Sequence, residues 1–338
     1  MNLGFLPGPT LTVVAGIIMG ANLLPLKWAK KWEWENFWLL YSLMALLVVP
    51  VGLAFAVVPQ LRLVYGSLAL RSLLMPFVLG ALWGVAQLGA GICMHRIGLG
   101  LTGSILNGIC AASGTLIPLS VQHPELLPRP SGILILAGTA VMAVGLVFCG
   151  WAGRQREIAT GQLKSVGSGY GGILVLVIVS GFLASLLNIA LAFGGSIIER
   201  ARHAGAAPAW APFAVWPLAL GGALLTNLGY SFYLLSRNKT WGNFGGGLQE
   251  VLNPVLAGAM WMGAIAIYSS ATTFLGVLGV SVGWSLFQIF MILSANVAGL
   301  FTGEWSRTEG RVRKANMLGV AVLFLAIVVI GAANAYAP

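Results

Sequence analysis

The chain has 338 residues, of which 58% are hydrophobic and only 8% charged, against about 25% charged in an ordinary soluble domain. The net charge of +10 comes from basic residues in short links between apolar runs. That distribution orients a membrane protein and differs from the basic face of a nucleic-acid binder. All eight acidic residues are Glu, which excludes chemistry built on an Asp dyad or an Asp-based metal cluster.

Apolar runs recur at residues 10–26, 37–58, 73–94, 101–122, 131–151, 171–194, 212–235, 251–273, 276–302 and 315–337. Each is close to the ~20 residues that a helix needs to cross the hydrocarbon core, so the chain reads as all-α, with ten transmembrane helices. Met1 to Pro9 lacks the basic region and small-residue cleavage site of a signal peptide, so the first run is expected to stay as an anchor. Helix-entry residues precede several runs: Ser72, Ser131 and the pair Asn253-Pro254. Only Gly276 separates the eighth and ninth runs. Cys93, Cys110 and Cys149 fall inside apolar runs and read as buried thiols, with neither disulfide nor zinc spacing.

Lys and Arg set the orientation. The first, third, fifth, seventh and ninth links hold thirteen of them, from Lys27, Lys30 and Lys31 through Arg96, Arg154, Arg156 and Lys164 to Lys314; the opposite side holds five. The positive-inside rule places the thirteen in the cytoplasm of a cell with this protein in its inner (plasma) membrane, and both termini outside.

One motif is written twice. Gly80-Ala81-Leu82-Trp83-Gly84 returns as Gly258-Ala259-Met260-Trp261-Met262-Gly263, with Trp83 and Trp261 178 residues apart in the third and eighth runs. The longest link divides the chain into a first half (1–153), a cytoplasmic link (154–169) and a second half (170–338). Five spans in each half force the halves into opposite orientations, the inverted-repeat plan of many secondary transporters, with a site at the midplane. The alternative is chance recurrence of packing chemistry in a chain with 46 Gly.

Eight Trp near span ends, among them Trp28, Trp32, Trp34, Trp38 and Trp305, are expected as interfacial anchors; Trp83, Trp261 and Trp284 lie too deep for that. Intramembrane polar groups are costly, and those present are nearly all neutral: Asn22, Gln87, Asn107, Asn188, Asn227, Tyr230, Tyr268, Gln288 and Asn296. An amide offers a donor and an acceptor on one plane, suited to paired hydroxyls, and an indole face suits the C–H side of a sugar ring. The expected binding set is Trp83, Gln87, Asn107, Asn188, Asn227, Trp261, Trp284 and Gln288, for a small neutral sugar. The competing role for each amide is to bond a neighbouring helix. His95, His123 and His203 lie at span ends or in links, and no His/Glu cluster has metal-ligand spacing. An enzyme, a metal site and a cofactor are therefore not expected. If a proton is coupled, Glu35 is the favoured carrier, with His95 second.

Pro25-Leu26-Lys27 followed by Lys30-Lys31-Trp32-x-Trp34-Glu35-x-x-Trp38 resembles the matching segment of the L-rhamnose–proton symporters of the drug/metabolite transporter superfamily. The likeness continues at Gly80 to Gly84, Asn227-Leu228-Gly229, Met260-Trp261, Trp284 and Glu304-Trp305. It implies a ten-helix inverted repeat, uptake of L-rhamnose or a similar monosaccharide with protons, and a pathway near Trp83, Asn227, Trp261 and Trp284. It also raises Glu35. The chain departs from the family pattern at Gly279-Val280-Ser281, where the symporters carry Asp and Tyr, and at Gln87, where they carry Asn. Without that carboxylate, the alternatives are a facilitator or an exporter of another small neutral metabolite.

Overall fold

The computed structural model describes residues 7–28, 31–161, 170–245, 247–301, 305 and 308–336. Among them, ten helices are long and apolar enough to cross a membrane: span 1 (Pro7–Leu26), span 2 (Trp34–Val57), span 3 (Leu70–Ile97), span 4 (Leu99–Gln122), span 5 (Pro130–Ala159), span 6 (Gly171–His203), span 7 (Ala211–Asn238), span 8 (Leu248–Phe274), span 9 (Gly276–Gly299) and span 10 (Gly310–Tyr336). Helices are the expected outcome. In hydrocarbon no water satisfies a backbone N–H or C=O, and a helix pairs them internally.

Several helices start earlier than their entry residues suggest. Span 3 begins at Leu70, before Ser72; span 5 begins at Pro130 behind Arg129; span 8 begins at Leu248, which leaves Pro254 inside the helix. None of these three starts carries a side-chain cap. Tertiary packing extends these helices past the local signal. Span 5 runs on to Ala159, so the first part of the link expected at 154–169 is helical; residues 162–169, with Lys164, lie outside the described residues, as do Lys30, Glu304 and Arg307. Two spans are interrupted. Pro50 offers no N–H to the preceding turn of span 2, and the helix widens into a π-helical turn at Met44–Val48. Span 6 breaks at Ser185 and Gly194 into three helical pieces.

The principal helix pairs are 5 with 10, 3 with 7, 2 with 8, 1 with 8 and 9, 3 and 4 with 6, 4 with 5, 9 with 10, 4 with 9 and 2 with 7. Exchanging each span for the one five places along the chain leaves this set unchanged. The same regularity holds at atomic scale. A Cβ on Gly80 would collide with the carbonyl of Ala219, and a Cβ on Gly258 would lie 2.8 Å from the carbonyl of Tyr41. Gly80 and Gly258 are 178 residues apart, as are Tyr41 and Ala219. Both glycines serve close backbone approach, which supplies packing energy where lipid offers no hydrophobic drive. Two pairs with that same separation touch each other: the Trp83 and Trp261 rings, 5.6 Å apart, and Gln288 Nε2 with Cys110 Sγ at 3.5 Å.

Candidate functional site

Trp83 and Trp261 are both at mid-span, 7% and 8% exposed. Their tilted rings meet at the wall of a cavity of about 160 Å3. Span 1 contributes Asn22, span 2 contributes Trp38, Tyr41 and Ser42, span 3 adds Gln87 and span 7 adds Asn227. No Lys, Arg, Glu or His is among the described residues that line it.

The polar groups are held in fixed orientations. Trp38 Nε1 donates to Asn227 Oδ1 at 2.9 Å, and Asn227 Nδ2 donates to the Ala223 carbonyl at 2.9 Å, one turn back in its own helix. Asn22 Nδ2 donates to the Tyr41 hydroxyl at 3.4 Å. Trp34, Trp38 and Tyr41 form a stacked ladder, with centroids 4.9 and 4.8 Å apart. The Ser42 hydroxyl is buried without a hydrogen-bond partner, and Gln87 has no protein hydrogen bond among the described contacts, so its amide is available to a solute. The expected anchor role therefore fails for Trp38. Its indole bonds an amide of the cavity, and Trp32 and Trp305 are likewise buried, at 8% and 5% exposure. Trp28, Trp34, Trp151, Trp210 and Trp241 are exposed, as anchors would be.

The remaining expected binding residues lie elsewhere. Asn107 lines a neighbouring, larger cavity of about 450 Å3. Asn188, Trp284 and Gln288 belong to a buried network on the side of the cavity away from the basic links. There Tyr268 donates its hydroxyl proton to Asn188 Oδ1 at 2.6 Å, Asn188 Nδ2 donates to the Gly114 carbonyl at 2.8 Å, and Trp284 Nε1 donates to the Cys110 carbonyl at 3.2 Å. Thr115 and Ser285 pair at 2.6 Å beside it. These amides are spent on protein partners across spans 4, 6, 8 and 9.

Glu35 opens span 2 one turn before Trp38 and is 5% exposed. Its Oε1 accepts Asn238 Nδ2 at 3.0 Å and Thr240 Oγ1 at 2.8 Å, while the next residue, Asn36, donates to the Thr240 carbonyl at 2.9 Å. Span 2 is thus fastened to span 7 twice, at its carboxylate and at Trp38. Glu250, also buried, accepts the Lys31 N–H at 3.2 Å. His95 lies exposed at the end of span 3. Trp38, Tyr41 and Ser42 were not singled out from sequence as binding residues. Their signal was the spacing of Glu35, Trp38 and Tyr41, which puts all three on one helix face.

Known proteins are similar to this chain over nearly its whole length. The chain is 26% identical over 341 residues, 98% of both chains, to the L-rhamnose-proton symporter of Yersinia pestis (strain Pestoides F), and equally to that of Yersinia pseudotuberculosis serotype I (strain IP32953). The family model described as L-rhamnose-proton symport protein (RhaT) matches residues 10–336. Nearly the whole chain is covered, and the protein belongs to the L-rhamnose-proton symport protein family, transporters and not enzymes.

Proposed function

We propose that this protein moves a neutral monosaccharide, L-rhamnose or a similar deoxy-sugar, together with a proton, by alternating access. The observation that carries the proposal is the cavity between Trp83 and Trp261: about 160 Å3, at mid-span, with amides and a phenol but no charge among its described lining. It is well below the ~300–1,000 Å3 of drug-sized clefts, which favours a single small solute. Gln87 offers a donor and an acceptor to adjacent hydroxyls, and the indoles offer the apolar face that a deoxy-sugar methyl and ring C–H groups require. An anionic substrate would lack a partner.

The exchange of spans five places apart, and the touching pairs 178 residues apart, support two inverted repeats (1–153 and 170–338) whose pseudo-twofold axis passes through the substrate cavity. That is the geometry in which one half rocks against the other around a fixed site, as in the drug/metabolite transporter superfamily. The distribution of Lys and Arg supports an inner-membrane protein with its basic links in the cytoplasm.

Glu35 is the proposed proton carrier. As a carboxylate it only accepts, and protonation replaces one acceptor site by a donor and removes the charge that strengthens the bonds from Asn238 and Thr240. Loosening that clasp frees span 2 from span 7, and Trp38 carries the change to Asn227 in the cavity. His95 is the second candidate; its neighbour Met94 lines the larger cavity. A facilitator is the alternative, favoured by the lack of a carboxylate among the described residues of the cavity wall. Labelled L-rhamnose uptake into proteoliposomes, with and without an inward proton gradient, decides. Gradient-driven accumulation supports symport, equilibration without accumulation supports the facilitator, and no uptake refutes the sugar assignment.

A further inference from the structure

Two cavities lie in series. Besides the 160 Å3 cavity, one of about 450 Å3 is lined by Asn107 and Ser104 of span 4, Asn296 of span 9, Arg156 of span 5 and Trp305. Trp305 apart, its lining residues come from the ends of spans 1, 3, 4, 5 and 9 that adjoin the basic links. Three residues line both cavities: Met19 and Leu23 of span 1 and Met291 of span 9. A residue that faces two cavities is the partition between them. Here that partition is three unbranched or flexible apolar side chains, two of them thioethers that change rotamer at small cost.

The outer chamber is more than an empty mouth. Asn107 has no protein hydrogen bond among the described contacts, and Trp305 Nε1 is buried without a partner in a residue only 5% exposed. The Arg156 guanidinium lies over the Trp305 ring at 5.0 Å and leaves that indole fixed as a wall. The chamber thus repeats the chemistry of the inner cavity, a Trp beside an uncommitted amide, in roughly three times the volume. Apolar lining with a few convergent polar groups is what small-molecule sites present.

We propose that the outer chamber is a second, transient monosaccharide station on the route to the basic-link side, and that Met19, Leu23 and Met291 form the thin gate between the two. This rests on the sugar reading of the inner cavity. A sugar crosses by side-chain rotation alone, without movement of either half of the molecule.

The test uses the full-length protein in detergent, with Cys93, Cys110 and Cys149 replaced by Ala. Single, nearly isosteric reporters are Ser42→Cys for the inner cavity and Ser104→Cys for the outer chamber. A small thiol reagent should label Cys at 104 at least tenfold faster than Cys at 42. Met291→Ala should speed labelling at 42 severalfold and leave 104 unchanged; an unchanged rate at 42 refutes the gate. L-Rhamnose should protect both positions, position 104 at higher concentration. With the inner site weakened by Gln87→Ala or Trp83→Ala, protection at 42 should need at least about tenfold more sugar and protection at 104 should be unchanged. Protection at 42 alone, or joint weakening at both positions, refutes the second station and leaves the transport reading intact. Protection at neither position in the unmodified site refutes the sugar reading and the station with it.

Discussion

Glu35→Gln separates coupling from binding. The substitution keeps shape and keeps one side-chain oxygen for Asn238 and Thr240, which now bond Oε1 at 3.0 and 2.8 Å. Hydrogen bonds to an ionised acceptor contribute about 1.5–3 kcal/mol each, and neutral ones about 0.5–1.5. Two weakened bonds therefore cost about 2 kcal/mol, a loss that a folded membrane bundle tolerates. The functional effect should be larger. One pH unit is worth 1.36 kcal/mol, so a gradient of about two units supplies about 2.7 kcal/mol and, at one proton per sugar, about 100-fold accumulation. With the membrane potential clamped at zero, wild-type proteoliposomes should approach that ratio with labelled L-rhamnose. Those carrying Glu35→Gln should stop at equal internal and external concentrations, yet exchange labelled for unlabelled sugar at a rate within several-fold of wild type. Accumulation by Glu35→Gln to the wild-type level would show that the proton travels elsewhere, and His95→Gln would be measured next.

Gln87→Ala removes the uncommitted amide of the inner cavity; at about 0.5–1.5 kcal/mol for each of two hydrogen bonds, sugar affinity by isothermal titration should fall about tenfold or more with the melting temperature unchanged. Trp83→Phe keeps an aromatic ring but shortens the contact with Trp261, and should weaken sugar binding in the same titration. Gly80→Ala drives a methyl into the Ala219 carbonyl, whereas Gly229→Ala meets open space; overpacking of this kind costs about 1–3 kcal/mol, so only the first should melt earlier in detergent. Glu157 is 4% exposed and accepts the Gly100 N–H at 2.7 Å, satisfying the start of span 4 from span 5. Glu157→Ala should lower thermal stability by about 1–3 kcal/mol, and Glu157→Gln, which keeps an acceptor, should recover most of it.

The ten spans were legible because hydrophobic run length is a direct consequence of bilayer thickness, and nothing in tertiary packing overrides it. The place of the inner cavity was legible through Trp83 and Trp261, since a motif repeated at mid-span in two halves marks where those halves can meet. Helix ends were less so: the cap signals at Ser72 and Ser131 yield to helices that start one or two residues earlier. The partition of the amides was not legible at all. Asn227 in the cavity and Asn188 in the buried network are the same residue type, each well inside an apolar run, and in sequence nothing announces the partner that each finds, Trp38 or Tyr268. Trp38 was hidden by its distance along the chain from the span centre. The cavity extends from the mid-span Trp pair toward the basic links, where span 2 has only just begun.

The residues that recur and those that do not divide along a physical line. Trp83 with Trp261, Gly80 with Gly258, and Trp38 with Trp216 are each 178 residues apart, and all of them set close packing or ring surfaces. At the same separation, Gln87 answers to Ile265, Glu35 to Phe213, Asn227 to Val49 and Tyr268 to Ala90. In the proposed duplication, then, the framework is held twice and each of these four polar groups once. This asymmetry suits a solute with no twofold symmetry of its own. Identical polar groups on both sides of a twofold axis would hold a sugar equally well in two opposed poses and place a proton carrier at both ends. With Gln87 on one side only, and Glu35 on the helix that also carries Trp38, the proposed site would give the sugar one bound orientation and the proton one carrier. Giving the second half its own amide, Ile265→Gln, places a polar group at a buried core position and should lower stability by about 1–3 kcal/mol, but broaden sugar selectivity in competition uptake; unchanged selectivity with measurable binding would show that the asymmetry is incidental.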